Sequence, residues 1–204
     1  MKKFRITALL LTAMLAATAT VGCGKKNKTN TNDDIIFAEN DSQISPVDLN
    51  SIGKNNVSVA LAEEANENET LFKLNNVYVT DVLSDGVKFV YFDITIHNST
   101  ETEYTLSTLN NFYLELNGEK IYSSVRTQLY ARNNFKEGIF ATDPFTVPAN
   151  GDFSGIIGGI IVNEECNEFT VGFYPTKQDI NDKETVITVN VTPDNIKNAS
   201  ELLK

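Results

Sequence analysis

Apolar residues recur at every second position along most of the chain beyond residue 57. Val57, Val59 and Leu61 alternate, although Ala60-Leu61-Ala62-Glu63-Glu64-Ala65 would also suit a short helix; the alternation favours a strand over residues 57–62. From Leu71 the period of two holds throughout. Residues 77–82 read as a strand, and Ser84-Asp85-Gly86 turns it into residues 87–96. In that second strand Val90, Phe92, Ile94 and Ile96 form one face. Phe89, Tyr91, Asp93 and Thr95 form the other, which turns polar along its length. Such a strand has one face in the core and the other partly covered. Phe112, Leu114 and Leu116 alternate with Tyr113 and Glu115, then Asn117-Gly118 leads into Glu119-Lys120-Ile121-Tyr122. Asn-Gly between alternating runs predicts a type I′ hairpin, because both central residues need positive φ. Residues 145–147, 153–162, 169–174 and 186–191 complete the strands, with Pro148-Ala149-Asn150-Gly151 as a further turn. Turn signals arrive about every ten to fifteen residues, which indicates an antiparallel sandwich or barrel. The end differs: Thr192-Pro193-Asp194 resembles a helix start, and Ile196, Ala199, Leu202 and Leu203 make a narrow stripe. A short terminal helix on the sheet is expected.

The first 56 residues lack this period. Lys2, Lys3 and Arg5 precede a short run of Ala, Leu, Thr and Met that ends in small residues. A cationic start, an apolar run and a small-residue cut site make a secretory signal. The junction Thr20-Val21-Gly22-Cys23 resembles the lipobox of bacterial lipoproteins. That resemblance implies that residues 1–22 are removed and that the Cys23 sulfur carries a diacylglycerol. Two acyl chains on one residue give stable anchoring, where one gives reversible binding. The rival readings are an uncleaved transmembrane helix and a plain secretory cleavage. Against the first, residues 6–22 fall short of the roughly 20 apolar residues a span requires, and four threonines dilute them. Residues 24–34 offer nothing apolar to bury, and Pro46 interrupts the sparse apolar positions beyond them. Residues 23–56 are therefore expected to form a lipidated tether with a root-mean-square span of about 30 Å, reaching roughly 110 Å when stretched. Residues 57–204 form the predicted domain.

A second resemblance concerns that domain. The run from Phe89 to Ile96, closed by His97-Asn98-Ser99, is followed by Phe112-Tyr113-Leu114-Glu115-Leu116-Asn117-Gly118. Val147-Pro148-Ala149-Asn150-Gly151 and a glycine-containing strand come next. This order resembles the telokin-like, immunoglobulin-like domain of unknown function on Gram-positive lipoproteins, which is similar in fold to a mycobacterial secreted immunoprotective antigen. The likeness covers roughly residues 70–192. It implies an all-β, immunoglobulin-like antiparallel β-sandwich without enzymatic activity, and it supplies no binding residues. The Cys…Trp…Cys core of antibody domains is absent, since the chain has no Trp.

Charge narrows the partners. The chain carries 17 basic and 27 acidic residues, a net of −10. Three of the bases and none of the acids lie in the signal, so its removal moves the net to −13. Such a chain is repelled by nucleic acid. Abundant Asn without Trp suits an AT-rich Gram-positive genome.

Candidate chemistry is sparse. With Cys23 acylated, Cys166 has no partner, and its acidic surroundings Glu164, Glu165 and Glu168 would raise its pKa and leave it inert. A domain of this size can bury close to about 70% of its unfolded surface without a disulfide. His97 is the sole histidine. Any Ser-His-Asp or Cys-His site must use it, and Asp93, four residues back along the strand, stands about 13 Å away. Zinc lacks ligands here. Calcium takes oxygen ligands, and Asp179, Asn181, Asp182 and Glu184 crowd one stretch, though without the twelve-residue loop and its central Gly. Gly155, Gly158 and Gly159 lie inside a strand and mark a bulge or close backbone approach, not a phosphate loop. Tyr91, Tyr113 and Tyr122 would either cover a sheet edge or form a small platform for wall sugars. No catalytic residue and no cofactor is assigned. The leading expectation is a lipid-anchored, extracytoplasmic binding or accessory module, held to the membrane by its lipid and facing a protein or wall component. The alternatives are a cell-wall hydrolase and a calcium-dependent sensor using acidic loops.

Overall fold

The alternation resolves into twelve strands in the computed structural model, which describes residues 51–163, 165–175 and 183–204. One sheet runs in the order β1 (Asn55–Val59), β11 (Thr185–Val191), β10 (Phe169–Phe173), β6 (Phe112–Leu116), β7 (Glu119–Tyr122). The opposing sheet runs β12 (Ile196–Asn198), β3 (Thr70–Val79), β4 (Val87–Asn98), β9 (Gly151–Asn163). A short β2 (Glu64–Glu67) pairs with the first half of β3, and β5 (Tyr104–Leu106) pairs with β8 (Phe145–Val147); a single turn, α1 (Thr108–Asn111), leads from β5 into β6. The fold is an immunoglobulin-like β-sandwich. Its long ladders are antiparallel; β1 on β11 and β12 on β3 are parallel pairs added at the edges.

The even positions of β4 do what their spacing demands. Val90, Phe92, Ile94 and Ile96 enter the core between the sheets, against Phe112, Leu114, Val171 and Phe173 from the first sheet. Phe173 anchors that layer, with its ring 4.7 Å from Phe112 and 4.5 Å from Phe72. Fully burying each such side chain contributes about 1.5–3 kcal/mol. The hairpin at Asn117-Gly118 has φ of 53° and 81°, as the type I′ turn requires.

The odd positions of β4 face outward and are covered only over part of their length. Phe89 and Tyr91 lie under α2 (Val125–Asn134), in one cluster with its Ala131 and with Tyr78, Phe135 and Ile156. A bulge in β9 makes room for this. The register passes from Val90 opposite Ile160 to Tyr91 opposite Gly158, leaving Gly159 outside the ladder. The Gly159 N–H donates to Thr127 Oγ1 (2.8 Å), and its carbonyl accepts from that hydroxyl (2.8 Å) and from the Ser124 N–H (3.0 Å). Backbone groups released by the bulge are thus satisfied by the helix. A side chain at position 159 would collide with the Val90 carbonyl.

Two boundaries differ from the expectation. The first sheet begins at Asn55, and Gly53 N–H already bonds to the Lys183 carbonyl at 2.8 Å, ahead of residue 57. The strand over 57–62 ends at Val59, where Ala62 turns with φ 64°. The terminal helix is realised as two single 3₁₀ turns, Pro193–Asn195 and Ala199–Leu202, around β12. Thr192 and Asn195 cap the first turn as its sequence suggests. The edge of β3 then offers Ile196–Asn198 a ladder that a helix would leave unpaired. Beyond it, Lys136 N–H bonds to the Leu202 carbonyl (2.8 Å), and Lys204 N–H to that of Asn134 (3.0 Å), tying the end of α2 to the terminal segment.

Candidate functional site

Among the described residues, the predicted ones do not converge on one place. Cys23, Asp179, Asn181 and Asp182 lie outside the described residues. Glu184 is exposed and faces Lys54 at 3.7 Å. His97 bonds through Nδ1 to Asp152 Oδ1 at 2.8 Å, its direct partner across the β4–β9 ladder. Ser154, the next outward residue on β9, bonds to Thr95 (2.7 Å). Asp93 is held by the side-chain amides of Asn75 and Asn76 at 3.3 and 2.7 Å. The polar end of this face is therefore a ladder of paired side chains on a half-exposed sheet.

Cys166 is buried, and the cause of its raised pKa is burial, with Lys88 pulling the other way. Of the acidic neighbours that stand out in the sequence, Glu165 and Glu168 are exposed and are not among the causes. Tyr91 is separated from the other two tyrosines of the expected platform. It sits on the opposite sheet, fully buried, donating to the Thr127 carbonyl at 2.8 Å.

Tyr113 and Tyr122 do come together, on the outer face of the first sheet, with rings 6.4 Å apart. The register explains the site. Tyr113 lies between Tyr122 on β7 and Gly172 on β10. Gly172 has no side chain, so the Tyr113 ring lies across it, in space a Cβ would occupy. Tyr174, at the end of β10, packs 5.3 Å from Tyr113. Two lysines close over this pair. Lys120 donates to the Tyr174 hydroxyl at 3.0 Å and stands 4.3 Å from the Tyr113 ring centroid. Lys183 stands 5.2 Å from the Tyr174 centroid. A ring face attracts an ammonium without neutralising it.

The electrostatics come from that arrangement. Burial pushes the Tyr113 phenol up to about 12, against the opposing pull of Lys120. Burial draws Lys120 down, but its hydrogen bond to Tyr174 and the neighbouring phenols outweigh this and leave it raised. Lys183 is lowered, first by burial and then by the charge of Lys120. The two ammonium groups are thus close enough to repel each other. None of the ion pairs among the described residues involves either. Glu115 stands opposite Lys120 in the ladder, yet the Lys120 ammonium bonds to Tyr174. Sequence reading found two of these five residues. The missed signal was Gly172, a glycine inside a strand opposite a tyrosine.

A separate hollow of about 250 Å³ lies beside α2, lined by Leu109, Val125 and Leu129 with Gln128, Arg132 and Asp143. Its three apolar side chains are exposed.

No family model matches the chain, and no curated protein matches it. Solved structures do. A Bacillus subtilis protein described as a "putative lipoprotein" is 12% identical with a TM-score of 0.42, over 64% of this chain and 38% of that one. The yjhA protein of the same organism is 14% identical with a TM-score of 0.44, over 65% and 98%. An uncharacterized β-sandwich protein from Clostridium difficile is 11% identical with a TM-score of 0.37, over 67% and 94%. This chain spans 38% of the length of the first of them. Of the three, the Clostridium difficile protein is the one described as a β-sandwich.

Proposed function

We propose that the chain is a lipid-anchored, extracytoplasmic accessory module that binds its partner and does not transform it. The observation that carries this reading is the sequence Thr20-Val21-Gly22-Cys23 behind a cationic, apolar leader, placed ahead of a β-sandwich. In this reading residues 1–22 are removed, Cys23 holds the diacylglycerol, and the polar stretch after it carries the sandwich away from the membrane. The sandwich belongs with the telokin-like domains of Gram-positive lipoproteins. It faces a protein or wall component from the outer side of the cytoplasmic membrane. With residues 1–22 and their three bases removed, a net charge of −13 keeps it off anionic lipid except through its acyl chains.

The test is metabolic labelling with a palmitate analogue in a Gram-positive host, followed by membrane fractionation. The wild-type chain takes up label and sediments with membranes. Cys23→Ala takes up none and leaves the membrane fraction or persists as the longer precursor. Label retained by Cys23→Ala, or absent from the wild type, refutes the anchor.

A further inference from the structure

We propose that Lys120 and Lys183, set on Tyr174 at the outer face of the first sheet, form a binding site for a phosphate-bearing ligand. The chain is acidic overall, with 27 carboxylate residues against 17 basic ones. Two of its lysines nevertheless meet at one aromatic side chain and pair with no carboxylate among the described residues. Their distances to the Tyr174 centroid, 5.6 and 5.2 Å, bound their separation at about 11 Å. Like charges in an acidic protein ordinarily find carboxylates. Here the fold supplies phenol rings, which hold the ammonium groups in place without neutralising their charge.

An ammonium has three donors. One from Lys120 is spent on the Tyr174 hydroxyl. An anion between the two lysines would accept the others and relieve their mutual repulsion. Phosphate suits the position because its several oxygens can bond to both lysines at once, and hydrogen bonds between charged groups are the stronger kind. Most of the site stands on the sheet, with Lys183 two residues ahead of β11. Lys120 projects from β7, Tyr113 from β6 and Tyr174 from the end of β10, while Gly172 lets the Tyr113 ring lie flat beneath them. Tyr122 completes the edge. Tyr122 is 49% exposed and adjoins Tyr113, giving an apolar surface beside the cations. A sugar carrying the phosphate could rest there. The site lies wholly on the sandwich and does not depend on acylation at Cys23.

Isothermal titration of the purified full-length chain with inorganic phosphate and with glucose 1-phosphate at low ionic strength tests it. Both anions bind the wild type with Kd in about the millimolar range. Lys120→Gln and Lys183→Gln each weaken binding about tenfold, while Lys183→Arg keeps it. The melting temperature of each variant verifies that it is folded. If Tyr122→Ala weakens glucose 1-phosphate alone, the site takes a phosphate borne on a sugar. If it changes neither, the phosphate group itself is what is recognised; both results support the site. No binding heat with the wild type, or binding unchanged in the two Gln variants, overturns it.

Discussion

Tyr91 and Tyr113 occupy comparable places, one on each outer face of the sandwich, and both are almost wholly buried. They are covered differently. Tyr91 lies under a helix, its ring 4.8 Å from Phe135 and its hydroxyl committed to the Thr127 carbonyl. Tyr113 lies beneath the Lys120 ammonium, beside Tyr174. Cover made of polypeptide is permanent and adds to stability. Cover made of long cationic side chains can be rearranged by a ligand at little conformational cost. One face is a second core, and the other is a surface in waiting.

The contrast can be broken most severely at Tyr91. Tyr91→Ala should destabilise the fold by about 3–5 kcal/mol in urea denaturation, since it empties the space under α2 and removes the hydrogen bond to the Thr127 carbonyl. A loss below about 1 kcal/mol would mean the helix is only loosely seated. Next comes Gly172→Ala. Its methyl group would have to displace the Tyr113 ring, and a loss of about 1–3 kcal/mol is expected from such overpacking. The same change should disturb phosphate binding, whereas Tyr91→Ala should leave it intact in whatever fraction remains folded.

A subtler probe is alkaline pH. Burial raises the Tyr113 phenol to about 12 in the folded chain, above the ordinary tyrosine value of 10.0. The folded state therefore holds this proton more tightly than the unfolded state. The stabilisation is complete below pH 10 and declines as the pH rises from 10 through 12. Tyr113→Phe should flatten that part of the stability profile, measured by denaturation at stepped pH; an unchanged slope would argue that the phenol is not confined. The smallest effect is expected from Lys183→Gln. The sandwich should keep its stability within about 0.5–1 kcal/mol, the worth of an exposed cation–π contact. A larger loss would make Lys183 part of the structural cover and not of an exchangeable one.

The sandwich was legible because its core strands obey a strict period. The strands at residues 112–116, 119–122 and 145–147 fall where the alternation puts them, and the polar drift along one face of β4 marks where its cover ends. α2 was not legible. Of its ten residues only Thr127 and Ala131 are buried, one turn apart; Tyr130 packs half-buried against Phe89, and the rest is polar or exposed apolar. Its docking depends on the hydroxyl of Thr127 meeting Gly159, a pairing that no local pattern announces. The terminal helix was misread for a related reason. Pro193 and the Thr192 cap start a turn correctly, but the edge of β3 draws residues 196–198 into a ladder. The lysine–tyrosine cluster draws on β6, β7, β10 and Lys183, and only the sheet order brings them together.

The bonds between residues 134–136 and 202–204 have a consequence for folding. Lys204 supplies both a backbone bond to Asn134 and an ammonium bond to Asn133, and Leu202 accepts from Lys136. α2 and these partners stand far apart in the chain, 71 residues in the case of Lys204 and Asn133. The sheets can therefore close while the helix still hangs open, and the clasp shuts last. Cutting the clasp would loosen the helix over Phe89 and Tyr91 and uncover the greasy flank of β4 without dismantling the core between the sheets.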